Sequence, residues 1–169
     1  SASQLATGVP SGSEMIGLNA EGDPVETVLE AAKAMGKATG LVSDTRLTHA
    51  TPASFAAHQP HRSYENQIAV EMLENGVDVM LSGGLRYWIP QAVNSDAAAN
   101  AAVTAQINEP TVRVKSKRKD DRNLLTEAAA AGYQLAFNQD QLNATENDQK
   151  VLGLFAYSGM LDGIQYSKT

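Results

Sequence analysis

The feature that most constrains the fold is a unit of helix, glycine and short apolar strand that recurs along the chain. The units are a helix over 24–35 with a strand over 38–42, a helix over 63–75 with a strand over 77–81, and a helix over 124–131 with a strand over 133–137. Pro24 suits a first helical turn, and Gly36, Gly76 or Gly132 separates each helix from its strand. The apolar run 151–156 is typical of another buried strand. This alternation predicts an α/β fold with a mostly parallel sheet flanked by helices.

Parallel sheets bind ligands beyond the carboxyl ends of their strands, so the loops 43–51 and 82–85 are the places where we expect a site. Gly83 and Gly84 would let the backbone approach an anion. Neither a P-loop lysine nor a spaced glycine fingerprint accompanies them, however. We therefore expect these two glycines to form a structural turn.

Charge and composition limit the partners. The formal net charge of −6 opposes general attraction to nucleic acid or an anionic membrane, so a phosphate site would have to be local. The basic run 115–119 is followed by two aspartates, and we expect a solvated face there. The alanine-rich stretch 94–105 predicts a solvated helix. The chain has no cysteine, which excludes thiolate zinc sites, and no apolar run of the ~20 residues that span a bilayer.

A dense set of polar residues begins after the first predicted strand. It runs from Asp44 to Thr51 and continues with His58, His61 and Arg62. All three histidines of the chain lie in this stretch, so a three-histidine zinc site, or another enzyme chemistry built on it, is one interpretation. Because no carboxylate lies at a matching interval, hydrogen-bonding roles for the histidines are favoured.

Arg62 has two interpretations. A guanidinium group is a planar fork that matches two phosphate oxygens, and an arginine near a strand end can clamp an oxyanion. The alternative is a surface ion pair with Glu65 or Glu71. We also expect a local pair between Asp44 and Arg46. The residues alone therefore predict an α/β domain with an anion or metal site in this stretch.

Two stretches of the chain resemble the bacterial alkaline phosphatase family, in particular the marine Vibrio-type enzymes. They are residues 40–58, with Arg62 close behind, and residues 1–9, which resemble the helix that follows the nucleophile of that family. The similarity continues through 78–85, 117–126 and 153–160. It implies that residues 1–169 are a single incomplete α/β domain, an internal fragment of a larger catalytic domain with an alkaline phosphatase-like fold.

The resemblance implies a phosphate monoester hydrolase that works through a phosphoserine intermediate, with two zinc ions and a magnesium ion. Arg62 matches the arginine that holds two nonbridging phosphate oxygens. Thr51 matches a hydroxyl ligand of magnesium, and His49 matches a position that acts near the magnesium through its water shell. His58 and His61 do not match the zinc ligands of the family. The nucleophilic serine would lie just before the first residue, and the zinc ligands would also fall outside this chain.

The resemblance also sets expectations for partners and location. The substrates would be phosphate monoesters, and the partners would be the remaining segments of the same enzyme and a second copy in a homodimer. The location would be periplasmic or secreted, with no nucleic-acid or membrane partner, and the fragment alone should be inactive. The alternative is a noncatalytic α/β module that binds an anion or a protein partner. A sheet that lacks strands should expose an edge and apolar surface.

Overall fold

A computed structural model describes residues 1–161 of the chain. Its strands are β1 Gly40–Arg46, β2 Val79–Gly83, β3 Tyr133–Ala136 and β4 Lys150–Leu154. Its α-helices are α1 Ala2–Thr7, α2 Val28–Ala34, α3 Ala50–Ala53, α4 Glu65–Asn75, α5 Ala97–Ile107, α6 Leu124–Ala130 and α7 Gln139–Asn143. All strand pairs are parallel, in the order β1-β2-β4-β3. The predicted α/β fold with a parallel sheet flanked by helices is confirmed.

The core forms where the sheet meets the helices. Met80 of β2 and Leu152 of β4 are paired neighbours in the sheet, and both are fully buried. α4 contributes Ile68 and Met72, which are four residues apart on one helix face and also fully buried. Each such side chain stabilises the fold by roughly 1.5–3 kcal/mol relative to exposure. This packing fixes the carboxyl ends of β1 and β2 in the sheet.

The glycine predicted to end the second helix does so. Gly76 has a φ of 70° and donates its N–H to the Leu73 carbonyl, a left-handed cap that glycine adopts without strain. β2 then begins at Val79, later than the predicted position 77. The reason is local, because the Asp78 carboxylate accepts hydrogen bonds from the Thr39 N–H at 2.8 Å and hydroxyl at 2.9 Å before the strand starts.

The first predicted helix begins later than expected. α2 starts at Val28 and not at Pro24. Thr27 and Glu30 form a capping box, in which each side chain accepts a hydrogen bond from the backbone N–H of the other residue. Pro24 instead pairs with Leu18 in an isolated antiparallel bridge. The capping box therefore sets the helix start, and the proline belongs to the preceding turn.

β1 extends beyond its predicted end at position 42. Arg46 at its carboxyl end pairs with Gly83 of β2 after a shift in register, so part of the predicted loop is strand. Within the described residues β1 is an outer strand of the sheet, and its Val42 is 77% exposed. Such an edge leaves N–H and C=O groups free to pair with a further strand.

The structural turn predicted for Gly83 and Gly84 begins at Gly84, while Gly83 is the last residue of β2. Gly84 has a φ of 100° and precedes the 3₁₀ helix Leu85–Tyr87. A Cβ atom on Gly83 would lie 2.0 Å from the Ser158 carbonyl oxygen. Only a residue without a side chain allows the segment after β4 to approach this closely.

The basic run 115–119 is not the uniformly solvated face that the sequence predicts. Its lysines are exposed, but Ser116 and Arg118 between them are buried. The Arg118 guanidinium donates to both carboxylate oxygens of Asp120, at 2.7 Å each. A bidentate partner satisfies the charge and permits its burial, so this arginine has a structural role.

α5 confirms the solvated helix predicted from the alanine-rich stretch. Asp96 caps it, and only Val103 and Ile107 on its inner face are buried. In the part of the chain that the structure describes, no helix has the length and apolar character that crossing a membrane requires.

Candidate functional site

The carboxyl end of β1 and the residues that follow it are anchored to the start of α4. Arg46 donates through Nε and Nη2 to the two carboxylate oxygens of Glu65, at 2.8 and 3.1 Å. The Thr48 hydroxyl donates to the same carboxylate at 2.6 Å. The predicted pair of Asp44 with Arg46 is therefore wrong, because the mostly buried Glu65 offers both of its oxygens to the guanidinium. This anchor fixes where the following loop leaves the sheet.

Beyond the anchor lies a cavity of about 360 Å³. α1, the segment 11–16 and the chain between β1 and α4 contribute to its walls. His49, Thr51 and Arg62, the three residues chosen from the sequence, all line it together with Glu14. The fold thus brings the predicted site residues to one polar cavity.

His49 is an uncharged partner of Arg62. The distance between His49 Nε2 and Arg62 Nη2 is 3.1 Å. Arginine can only donate, so Nε2 accepts and the ring proton lies on Nδ1. Burial, followed by the positive charges of Arg46 and Arg62, lowers the pKa of His49. The Nδ1 atom is buried and has no hydrogen-bond partner among the described residues.

Arg62 also contacts Glu14, a residue that sequence reasoning missed. Arg62 Nε lies 3.6 Å from Glu14 Oε2, and the Arg62 N–H donates to the Glu14 carbonyl at 2.8 Å. The alternative interpretation of Arg62, a surface ion pair with Glu65 or Glu71, is wrong. Glu65 binds Arg46, and the Glu71 carboxylate accepts from the His58 N–H and the Gln59 side chain. No local sequence pattern predicts the contact of Glu14 with Arg62, because an antiparallel contact between distant segments brings the two residues together.

Thr51 is the second residue of the short helix α3, whose N-cap residue is His49. It is exposed and faces the same cavity. A hydroxyl oxygen is a ligand that magnesium accepts, and His49 lines the same cavity. Residues 1–161 contain no group of three or more histidine, cysteine or acidic side chains arranged to hold a metal ion. These two residues could therefore serve a metal only together with other ligands.

The three-histidine zinc site is wrong, and the favoured hydrogen-bonding roles are correct. His58 Nδ1 lies 2.8 Å from the Gly17 carbonyl, and Nε2 lies 2.9 Å from Glu30 Oε1. Burial alone would lower the pKa of His58, but the bonds to Glu30 and Gly17 outweigh it and raise the pKa. His61 is exposed and bonds to the Ser63 hydroxyl at 2.8 Å.

Ser3 in α1 does not present a nucleophile. Ser3 is buried, and its hydroxyl donates to the Met15 carbonyl at 3.0 Å. The same oxygen accepts the Gly17 N–H at 3.2 Å and lies 3.2 Å from Ser54 Oγ. These bonds give Ser3 a structural role in joining α1 to α3 and to the segment that carries Glu14.

Comparison with known proteins decides the family. The family model described as alkaline phosphatase matches residues 1–169. The chain belongs to the alkaline phosphatase family. Alkaline phosphatase 4 of Bacillus subtilis strain 168 is 34% identical over 162 residues, which are 92% of this chain and 29% of that protein. The alkaline phosphatase of Escherichia coli K12 is 34% identical over 95% of this chain and 34% of its own length. The chain thus spans about a third of the length of these curated alkaline phosphatases.

Solved alkaline phosphatases share this fold. The Thermus thermophilus enzyme has a TM-score of 0.73 at 32% identity, covering 94% of this chain and 28% of that chain. The alkaline phosphatase of the Antarctic bacterium TAB5, as a histidine-to-aspartate mutant with magnesium bound in its M3 site, has a TM-score of 0.72 at 25% identity. That comparison covers 95% of this chain and 39% of the mutant's chain. The predicted family is confirmed, and the particular likeness to Vibrio-type alkaline phosphatases stays a prediction.

Proposed function

We propose that this chain is part of a metal-dependent phosphomonoesterase, to which it supplies the phosphate-holding arginine and the magnesium side of the site. The observation that carries the proposal is the Arg62 guanidinium at the cavity, hydrogen-bonded to neutral His49 and close to Thr51. An arginine fork holds two phosphate oxygens in a fixed geometry. The alkaline phosphatase family supplies the reaction class.

Arg62 acts through charge and orientation. Phosphoryl transfer places negative charge on nonbridging oxygens, and a guanidinium in a fixed position stabilises that charge. His49 accepts a hydrogen bond from Arg62 and holds the group without adding a second cation. Because its pKa is lowered, His49 stays neutral at neutral and alkaline pH and keeps this role there.

Thr51 would hold magnesium through its hydroxyl group, and His49 would act near the ion through its water shell. The exposed Thr51 hydroxyl is an oxygen ligand compatible with magnesium, and His49 lines the same cavity. When bound, magnesium would neutralise negative charge near the phosphate. For the two expected zinc ions, the described residues offer no ligand group, and no step is assigned to zinc in this chain.

The remaining proposals rest on the family. The substrates would be phosphate monoesters, hydrolysed through a phosphoserine whose serine belongs to another segment of the enzyme. The zinc ligands would come from such segments as well, so residues 1–169 would form a single incomplete domain and an inactive fragment. The assembled enzyme would be a periplasmic or secreted homodimer. The curated relatives are about three times as long as this chain, which supports the need for further segments.

A noncatalytic anion-binding module is the second candidate. It is favoured by one observation, that the described residues place an arginine at a polar cavity without a metal-binding group beside it. Such a module would bind phosphate through Arg62 and would need no further segment. It predicts cooperative unfolding of the isolated chain, with phosphate binding but without turnover.

The first test is the intact mass of the purified protein, with hydrolysis of p-nitrophenyl phosphate at alkaline pH in the presence of zinc and magnesium. A longer protein with turnover supports the phosphatase proposal. A mass of 17.9 kDa without turnover makes the chain an inactive fragment or a binding module. Turnover by the pure 17.9 kDa chain would overturn the assignment of nucleophile and zinc ligands to other segments.

Substitution then tests the residue that carries the proposal. In an active protein, Arg62→Ala should lower kcat/KM by roughly 10²–10³, the usual effect of removing a donor to transition-state charge. Arg122→Ala is the matched control, since Arg122 forms an exposed ion pair with Glu127 away from the cavity. The control should change kcat/KM by less than about twofold. Equal losses in both variants would remove Arg62 from the site.

A further inference from the structure

Glu14 is tied to Arg62 through its backbone as well as its side chain. The Glu14 carbonyl accepts the Arg62 N–H at 2.8 Å, and Ile16 exchanges two hydrogen bonds of 2.9 Å with Gln59 in the same antiparallel contact. This pairing fixes the distance between the two chain segments. The Glu14 and Arg62 side chains therefore start from neighbouring positions of the backbone, and their charged groups meet at the cavity.

The donors of Arg62 are shared between two partners in this arrangement. Nε faces Glu14 Oε2 at 3.6 Å, and Nη2 faces His49 Nε2 at 3.1 Å. A phosphate held by two oxygens needs two adjacent N–H groups of the fork. The edge formed by Nε and Nη2 is thus occupied, and a phosphate that takes this edge must displace Glu14.

The Glu14 contact is loose enough to be displaced. The Arg62 and Glu14 side chains are 38% and 48% exposed, and their separation of 3.6 Å is longer than that of a charge-assisted hydrogen bond. Ion pairs with this exposure are weak and screened by salt. A phosphate dianion can replace the Glu14 carboxylate. It must compete with that carboxylate for Arg62, and the two negative groups repel each other.

The backbone of Glu14 is unusual for a residue with a side chain. Its φ is 61°, in the left-handed region that non-glycine residues seldom occupy. The hydrogen bond to Arg62 and the neighbouring bridge hold it there. Glycine would adopt this backbone conformation at lower cost, yet the position carries an acidic side chain at the wall of the cavity.

We infer that Glu14 competes with phosphate for Arg62 and thereby weakens phosphate retention at the site. The inference rests on the proposed function of Arg62. Glu14 is a positioning residue in this scheme: it holds the guanidinium at the cavity wall when no phosphate is bound. When phosphate is bound, the Glu14 carboxylate remains close to Arg62 and can bind Nε again. This competition favours release of the phosphate product.

The test is a titration of the purified 169-residue chain with inorganic phosphate, followed by calorimetry or NMR at low and high salt. The variants are Glu14→Gln, Arg62→Ala and the double variant, with Glu26→Gln as the matched control for loss of one exposed carboxylate. Glu14→Gln should bind phosphate at least about threefold more tightly than wild type, with the gain reduced at high salt. Glu26→Gln should stay within about 1.5-fold of wild type, and the gain should vanish in the double variant.

The outcomes separate the two claims. If Arg62→Ala abolishes binding while Glu14→Gln binds like wild type, the competition by Glu14 is overturned and the phosphate role of Arg62 stands. If Glu26→Gln gains as much affinity as Glu14→Gln, the effect is general charge and the inference also fails. If no variant binds phosphate, or if Arg62→Ala binds as well as wild type, the proposed role of Arg62 fails and the inference falls with it.

Discussion

Two arginines at either end of the loop between β1 and α4 are used in opposite ways. Arg46 donates two hydrogen bonds to Glu65, and the two side chains are only 24% and 10% exposed. Arg62 has one loose contact with Glu14, and these side chains are 38% and 48% exposed. From the sequence, Arg62 is the candidate for binding an anion, and Arg46 is expected to form an ion pair, although with Asp44 and not with Glu65. Burial and geometry of the partner carboxylate distinguish a structural arginine from one that is available to a ligand.

The largest effect should come from breaking the buried pair. Glu65→Gln leaves the Arg46 charge without its partner and replaces one of the two acceptor oxygens that serve Arg46 and Thr48 by an NH2 group. We expect a loss of about 3 kcal/mol in the free energy of unfolding, the scale found when one member of a buried ion pair is removed. Urea denaturation of the chain measures this loss. The control is Glu74→Gln, an exposed carboxylate on the same helix, which should change stability by less than about 0.5 kcal/mol. Similar midpoints for both variants would contradict a structural role for Glu65.

Lysine substitutions at the two arginines should separate stability from binding. Lysine keeps the charge but lacks the planar fork. Arg46→Lys should lower the free energy of unfolding by about 1–2 kcal/mol and leave phosphate affinity unchanged. Arg62→Lys should leave stability unchanged and weaken phosphate binding about tenfold, equivalent to about 1.4 kcal/mol. The contrast between the two arginines would be contradicted if Arg46→Lys and Arg62→Lys lost similar amounts of stability and similar amounts of phosphate affinity.

His58 gives the third effect, through pH. Its bonds to Glu30 and Gly17 raise its pKa in the folded chain above the ordinary value of 6.5. Its contribution is therefore fully present below about pH 6.5 and is lost as pH rises through the folded pKa. His58→Gln should lower stability by about 1 kcal/mol at pH 6, and the difference from wild type should shrink toward pH 9. Unfolding at both pH values measures this change. The control is His61→Gln at an exposed position, which should be as stable as wild type at both pH values. If the stability difference between His58→Gln and wild type is the same at pH 6 and pH 9, the charged pair of His58 with Glu30 is refuted.

The sequence predicted those parts of the fold that short-range physics decides. The helix before Gly76 and the buried strand after it follow from apolar spacing and a left-handed cap. The start of α2 was wrong although its signal was present: Thr27 and Glu30 have capping-box spacing, and the prediction gave more weight to Pro24. A helix boundary was thus predicted correctly where the sequence carries one signal, and wrongly where two signals compete.

Residues far apart in sequence account for what could not be predicted in the candidate site. Arg62 was selected from its position after a strand, but its partner Glu14 comes from the segment after α1. Only the antiparallel contact between these segments brings the two together, and neither has a pattern that specifies the other. The partner of Arg46 was missed for a related reason, since the position of Glu65 depends on how α4 packs against the sheet.

The smallest effect should come from Glu14, and it completes the comparison with Glu65. Glu14→Gln keeps the size of the side chain and its left-handed backbone, and it removes only the charge facing Arg62. An exposed pair of this kind contributes little, so the free energy of unfolding should change by less than about 0.5 kcal/mol, and less still at high salt. Urea denaturation at two salt concentrations, beside Glu65→Gln, measures the difference. A loss near that of Glu65→Gln would mean that Glu14 holds the loop together as Glu65 does, and Arg62 would then be a second structural arginine with no fork to spare for phosphate.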